Sequence, residues 1–234
     1  KRYKRFSDHI GKFPVVIISP TDSNLIIEGP DVRRRYLNSS ISQFDNNYLN
    51  NLIEYNRALK QRNKLLKSIS EGANIDNITI EAFNYTLSQK SKCIFERRKK
   101  FVEEINSIFQ KFYAIISNSN EAVNLEYISH LNDNSMGELL NQNLEIDKIS
   151  KSTTHGPHKD DISLIMDNRL IKKFGSQGQQ KTFLVSLKLA QFELLEKINN
   201  IKPILLLDDI FDKLDNNRVE ELLSLVDKGF FSQV

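Results

Sequence analysis

The feature that most restricts how this chain can fold is a long stretch without helix breakers. From Thr79 to Ile116 there is neither glycine nor proline. Over its second half Phe101, Val102, Ile105, Ile108, Phe109, Phe112, Ile115 and Ile116 fall on one face at helical spacing. At about 1.5 Å per residue such a helix reaches about 55 Å if unbroken. Upstream, Asn46 to Gly72 shows the same periodicity. Tyr48, Leu52, Tyr55, Leu59, Leu66 and Ile69 keep steps of three and four, apart from one polar turn at Arg62, close to a heptad seam. Gly72 ends this segment, and Glu71 to Asn77 is a polar connection. Two long helices joined by a short polar loop predict an antiparallel helical hairpin. Its stripes pack on each other, or also meet a partner.

The flanking segments read differently. Phe13 to Ile18 is an apolar run of strand length closed by the turn residues Ser19-Pro20-Thr21-Asp22, and after Gly29-Pro30 the basic segment Arg33-Arg34-Arg35-Tyr36-Leu37 opens a helix. Beyond Ser117, Ala122 to Ile128 alternates as a strand and Gly137 to Ile149 is helical. Ile162–Met166 and Arg169–Ile171 flank a hairpin turn at Asp167-Asn168. Ser176 to Ile198 is a helix, Pro203 to Leu207 a buried strand, Asn217 to Val226 another helix, and Phe230 to Val234 the start of a further strand. Strand and helix pieces around a long helical segment predict an α/β core with an insertion. The expected partition is a first head part at 1–37, a helical arm at 38–120 and a second head part at 121–234.

A length of 234 residues allows one elaborated domain or two, and 39% hydrophobic with 27% charged residues is an ordinary globular balance. No apolar run reaches the roughly 18–20 residues of a membrane span, so no membrane association is expected. The start at Lys1-Arg2-Tyr3-Lys4-Arg5 lacks the apolar core of a signal peptide. Without an initial Met the chain is expected to be a piece of a longer protein. The single Cys93 excludes an internal disulfide or a cysteine-based zinc finger and favours a reducing, cytoplasmic setting. A net charge of +3 permits nucleic-acid binding through a local patch without requiring it.

Three segments could carry chemistry. Ile204-Leu205-Leu206-Leu207-Asp208-Asp209 is an apolar strand ending in two carboxylates, where open α/β sheets bind ligands. One carboxylate can hold Mg²⁺ through water and its neighbour can orient or deprotonate an attacking water, the Walker B arrangement. The alternative is a strand ending in solvated aspartates, but Asp212-Lys213-Leu214-Asp215 follows directly before a helix. In Phe174-Gly175-Ser176-Gln177-Gly178-Gln179-Gln180-Lys181-Thr182, Ser176 can cap a helix with Gln179 completing a capping box. A Walker A loop is G-x-x-x-x-G-K-[ST]; here Gln180 stands where its last glycine belongs, and no other segment matches. A loop that senses a γ-phosphate remains, beside plain helix capping and a degenerate phosphate loop. Third, Thr154-His155-Gly156-Pro157-His158-Lys159-Asp160-Asp161 offers metal-ligand residue types at His155, His158, Asp160 and Asp161, or a constrained turn near the signature loop.

Taken together, PTDSNLIIEGPDVRRRYLN, YNRALKQRNKLLK, THGPHKDD, FGSQGQQKT and ILLLDDIFDKLD resemble the bacterial RecF recombination proteins, in that family's order. The resemblance implies a P-loop ATPase head of the ABC/SMC type with an inserted helical arm. It also implies ATP-driven homodimerisation, weak DNA-dependent ATP hydrolysis and binding to gapped or junction DNA. Recombination mediator proteins and RecA, loaded at gaps after DNA damage in the SOS response, are the implied partners. By position, Asp208 matches the Mg²⁺-associated Walker B residue and Asp209 the catalytic carboxylate. Ser176, Gln177, Gly178 and Gln179 match the signature loop that meets the partner's ATP, and Asp215 lies in the D-loop. In the family a Walker A segment precedes the position of Lys1 and a switch-histidine strand follows that of Val234. Pro20 to Asp22 lead toward a Q-loop, where this sequence has no glutamine. DNA contact would rest on Arg33, Arg34, Arg35, Arg97, Arg98, Lys99 and Lys100. A non-catalytic scaffold armed with the coiled-coil hairpin is the reading of another class; it needs neither Asp208-Asp209 nor a signature loop.

Overall fold

The structure is a computed structural model that describes residues 9–73, 77–118, 121–210 and 214–227. The strand start expected at Phe230 to Val234, and Asp212 and Lys213, lie outside the described residues. The chain divides into two compact units, one drawing on residues 1–44, 100–126 and 162–234, the other on 45–99 and 127–161. This partition differs from that drawn on periodicity. The long second helix serves both units, and residues 127–161 pack with the hairpin although they follow it by some distance in sequence.

In the first unit, β1 (Val15–Ile18) and β5 (Ile204–Leu207) form a parallel pair, with Val15 opposite Ile204 and Ile18 opposite Leu207. One face of this pair, Val16, Ile18 and Leu205, is buried; Ile17 and Leu206 on the other are 50% and 46% exposed. The strand at Pro203 to Leu207, expected to be buried, is thus covered on one side only, because α8 (Gln177–Asn199) packs on a single face. α8 is buried almost all round, so its apolar residues show no narrow stripe: Phe183, Leu184, Val185, Leu187, Leu189, Phe192, Leu194 and Leu195 are all in the core. The Phe183 ring lies 4.5 Å from that of Phe109, tilted by 58°; Phe109 is in the distal part of α4 (Asn77–Ser117).

A second sheet orders β2 (Val123–Ile128), β3 (Asp161–Met166) and β4 (Arg169–Leu170), with Met166 opposite Arg169 across an antiparallel hairpin. Asp167 and Asn168 both have positive φ, +47° and +61°, the backbone a two-residue hairpin turn needs. Asp167 also bonds the start of β2 through both its backbone N–H and its side chain, each meeting Ala122. α1 (Asn24–Ile27), α2 (Pro30–Ser42), α7 (Ile171–Phe174) and α9 (Asn216–Asp227) complete this unit.

The second unit is the hairpin of α3 (Asn46–Ser70) with the proximal part of α4. Asp45 meets Arg97, Tyr48 meets Arg98, Glu54 meets Lys90 and Arg62 meets Asn84. From Tyr48–Arg98 through Glu54–Lys90 to Arg62–Asn84 the partners advance along one helix as they retreat along the other, which establishes the antiparallel arrangement. The polar turn at Arg62 is no gap in the seam. Its guanidinium is fully buried, bonding Asp147 at 2.6 Å, Thr153 at 2.7 Å and Asn84 at 2.7 Å. α5 (Met136–Gln142) and α6 (Leu144–Ser150) replace the single short helix expected from Gly137 to Ile149 and meet at Asn143.

Candidate functional site

The first unit brings two of the sequence motifs together. Asp208 and Asp209 stand exposed at the carboxyl end of β5, and the Asp208 N–H donates to the Ile18 carbonyl at 2.9 Å, extending the parallel pair by one bond. Asp209 has φ +48°, a left-handed conformation that aspartate tolerates better than most residues. Its carbonyl accepts a hydrogen bond from Lys181 Nζ at 3.2 Å. Lys181 sits in the first turns of α8, so the start of that helix and the acidic strand end lie one hydrogen bond apart.

The helix begins as the sequence predicts. Ser176 Oγ accepts from the Gln179 N–H at 3.2 Å, and Gln179 Oε1 accepts from the Ser176 N–H at 2.7 Å. This reciprocal box satisfies two orphan donors and leaves the Ser176 and Gln177 side chains exposed. Gln179 does more than cap: its Nε2 donates to Glu121 Oε1 at 2.6 Å, while Tyr113 donates its hydroxyl proton to Glu121 Oε2 at 2.6 Å. Burial, then Glu121, push the Tyr113 pKa upward, so the phenol stays the donor. Glu121 was not among the sequence candidates, since a lone glutamate before a strand carries no pattern. Asp215 caps α9, accepting from the Arg218 N–H at 3.0 Å and pairing with its guanidinium at 3.4 Å. Asp22, near the expected Q-loop, accepts from the Ser19 N–H and pairs with Lys188 at 2.7 Å.

The basic candidates separate by burial. Arg33 donates to the Leu25 and Glu28 carbonyls, each at 2.9 Å, and Arg34 pairs with Asp31. Arg35, Lys99 and Lys100 are exposed, and Lys100 is 3.7 Å from Glu104. Arg97 pairs with Asp45 at 3.2 Å. Arg98 is corrected: it is 1% exposed and donates to Asp160 at 2.8 Å, the Pro157 carbonyl at 2.7 Å and Tyr48 at 3.0 Å. A guanidinium enclosed in this way serves the fold and not a phosphate track.

Its partners belong to the Thr154–Asp161 segment. His158 donates from Nε2 to the Thr153 carbonyl at 2.8 Å, so its Nδ1 accepts from the Tyr55 hydroxyl at 2.5 Å. Asp160 also accepts from Tyr127. Burial raises the Asp160 pKa, with Arg98 opposing, and burial raises those of Tyr48, Tyr55 and Tyr127. His158 and Asp160 are therefore committed within the fold. Among the described residues no group of three or more His, Cys, Asp or Glu could hold a metal ion.

No family model matches the sequence. The chain is 49% identical over all its 234 residues to the DNA replication and repair protein RecF of Flavobacterium johnsoniae, spanning 65% of that protein. It is 47% identical over the same length to the RecF of Bacteroides thetaiotaomicron, spanning 63% of it. A solved structure described as the recombination mediator protein RecF with ATPrS in the RecFOR pathway superposes with a TM-score of 0.86. That match has 32% identity and covers 96% of this chain and 62% of the other. The corresponding RecF–ATP structure matches with a TM-score of 0.83 and 34% identity, covering 92% of this chain and 60% of the other. Over all 234 of its residues this chain is RecF-family sequence with the RecF fold, spanning just under two thirds of the length of the relatives it matches.

Proposed function

We propose that this chain supplies the signature-loop and Walker B half of an ATP-dependent DNA-repair protein that dimerises on ATP and helps load RecA at gaps in damaged DNA. One observation carries the reading: the capped start of α8 lies a single hydrogen bond from the carboxyl end of β5, through Lys181 and the Asp209 carbonyl. A scaffold has no use for that juxtaposition. The neighbours described as RecF with ATP and ATPrS support nucleotide binding, and the RecFOR description supports mediator proteins as partners.

In this reading Ser176 and Gln177 face the γ-phosphate of ATP held by a second copy, with Gly178 and Gln179 shaping and holding the loop and Asp215 bordering it. Asp209 positions or deprotonates the attacking water. Asp208 offers the hard oxygen donor that Mg²⁺ takes, through water. Bound Mg²⁺ neutralises developing charge on the phosphates. Arg35, Lys99 and Lys100 are the exposed candidates for DNA phosphates, supported by Arg33, Arg34 and Arg97, which are engaged locally. No helix among the described residues is long and apolar enough to cross a membrane.

The test uses the full-length protein. Ser176→Arg should block ATP-driven dimerisation, read by light scattering, because its bulk fills the place of the partner's phosphate. Asp209→Asn should keep ATP binding and slow hydrolysis by about 10²–10⁴. Normal ATP-driven dimerisation of Ser176→Arg would overturn the signature-loop assignment.

A further inference from the structure

The Thr154–Asp161 turn is the one sequence motif that the ATP and DNA roles leave without a task. Its interior is electrically balanced. Asp147 accepts from Arg62 at 2.6 Å and from the Thr154 backbone and hydroxyl at 2.9 and 2.6 Å, while Asp160 faces Arg98 at 2.8 Å. Asp147 and Asp160 are thus neutralised inside. The groups presented outward, on this turn and the neighbouring one at His130–Asn132, are His130, His155 and Lys159, with the exposed Asp133 directly after the His130 turn and the partly exposed Asp161 at the end of the other. The His130 and His155 rings lie 4.6 Å apart at 53°, and Lys159 is exposed on the same turn. The short 3-10 turns His130–Asn132 and Pro157–Lys159 that carry these groups pack on each other.

The hydrogen bonds also fix a tautomer. Thr154 gives its hydroxyl proton to the Asp147 carboxylate, so its oxygen accepts from His155 Nδ1 at 2.9 Å. The proton of neutral His155 then sits on Nδ1, and Nε2 carries the lone pair. Burial first, then His155 and Lys159, lower the His130 pKa, with Asp160 acting the other way.

We propose that His130, His155 and Lys159 form a proton-dependent site for a phosphate group. Two imidazoles that can each gain a proton, beside a fixed ammonium, complement a phosphate dianion. The two packed turns bring them to one surface. Without a ligand the neutral form of His130 is favoured; a bound phosphate favours the imidazolium. Binding therefore takes up protons, and affinity rises as pH falls through the histidine range. Above that range Lys159 alone remains charged. The phosphate can come from a nucleic-acid backbone or from a free phosphate compound. Only the choice of DNA as a ligand rests on the repair-protein reading.

The chain contains four histidines, which makes their ring resonances separable by NMR. Near pH 6, inorganic pyrophosphate and an oligo-dT are titrated separately into the 234-residue chain. We expect the His130 and His155 resonances to shift, those of His9 and His158 to stay, and the His130 titration to move to higher pH. Shifts with pyrophosphate alone assign the site to free phosphate compounds; shifts with both ligands assign it to the nucleic-acid backbone. For an oligo-dT ligand, affinity should fall by up to about tenfold per pH unit for each proton taken up. The His130→Ala/His155→Ala double variant should flatten that dependence, and Lys99→Ala should lower affinity but keep the slope. If neither ligand moves the two resonances, the site does not exist. DNA binding with an unchanged pH slope in the double variant overturns the site and leaves the DNA-binding reading standing.

Discussion

Arg98 and Lys99 are neighbours in sequence with opposite roles. About 100° of helix rotation separates them, which turns one into the interior and the other to solvent. Arg98 pairs with Asp160 under nearly complete burial, so Arg98→Met strands a carboxylate in the interior and should cost about 3–5 kcal/mol in denaturant unfolding. Lys99→Glu and Lys100→Glu should change stability by no more than about 0.5 kcal/mol. In the full-length protein the same two changes should weaken DNA binding and reduce the salt slope by about one unit per phosphate contact removed. An unchanged salt slope in Lys100→Glu would assign that lysine to its neighbour Glu104 alone.

At the scale of elements, two short segments hold their shape for different reasons. Gly156 has φ +125°, and a Cβ there would stand 2.8 Å from Met136 Cε and 2.9 Å from the Tyr55 hydroxyl. Backbone strain alone makes Gly156→Ala destabilising by about 1–3 kcal/mol, and the clash adds to it. Urea unfolding would measure the loss, and a variant as stable as the parent would show that the turn relaxes. α5 starts in a capping box: Ser135 N–H and Oγ both bond Glu138 Oε2, lowering the Glu138 pKa. A lowered folded pKa means the contribution is present above the ordinary glutamate range and lost as pH falls through the lowered value. Ser135→Ala should therefore lower Tm at about pH 7 and have a smaller effect near pH 3.

For the molecule as a whole, the proposed function divides the nucleotide chemistry between this chain and sequence outside it. On the proposed reading this sequence holds the Walker B strand end and the signature-type cap; it contains no G-x-x-x-x-G-K-[ST] loop. Such a loop provides the amide nest and lysine that hold the β- and γ-phosphates, so most ATP affinity is lost without it. The 234-residue chain by itself should bind ATP weakly and show no hydrolysis. Micromolar affinity by calorimetry would mean that the phosphate-holding groups lie within this chain after all.

The sequence by itself determined the elements whose signals are local. The hairpin helices were legible because apolar residues recur with the helix period. The Asp167-Asn168 turn was legible because Asn and Asp tolerate positive φ, and the α8 start because Ser176 and Gln179 stand at capping-box spacing. Asp208 and Asp209 were legible as the end of an apolar strand. Tertiary structure decided what depends on contacts between residues far apart in the chain. Arg62 reads as a polar interruption of the seam until Asp147, 85 residues later, neutralises it in the interior. Arg98 reads as one of four surface cations until Asp160, 62 residues on, draws it inside. Glu121 and Gln179, 58 apart, had no shared pattern at all. Charge and helical spacing say that a side chain can be solvated or paired. Which of the two occurs depends on whether a counter-charge is folded against it, because an ion in the interior is tolerated only beside its partner.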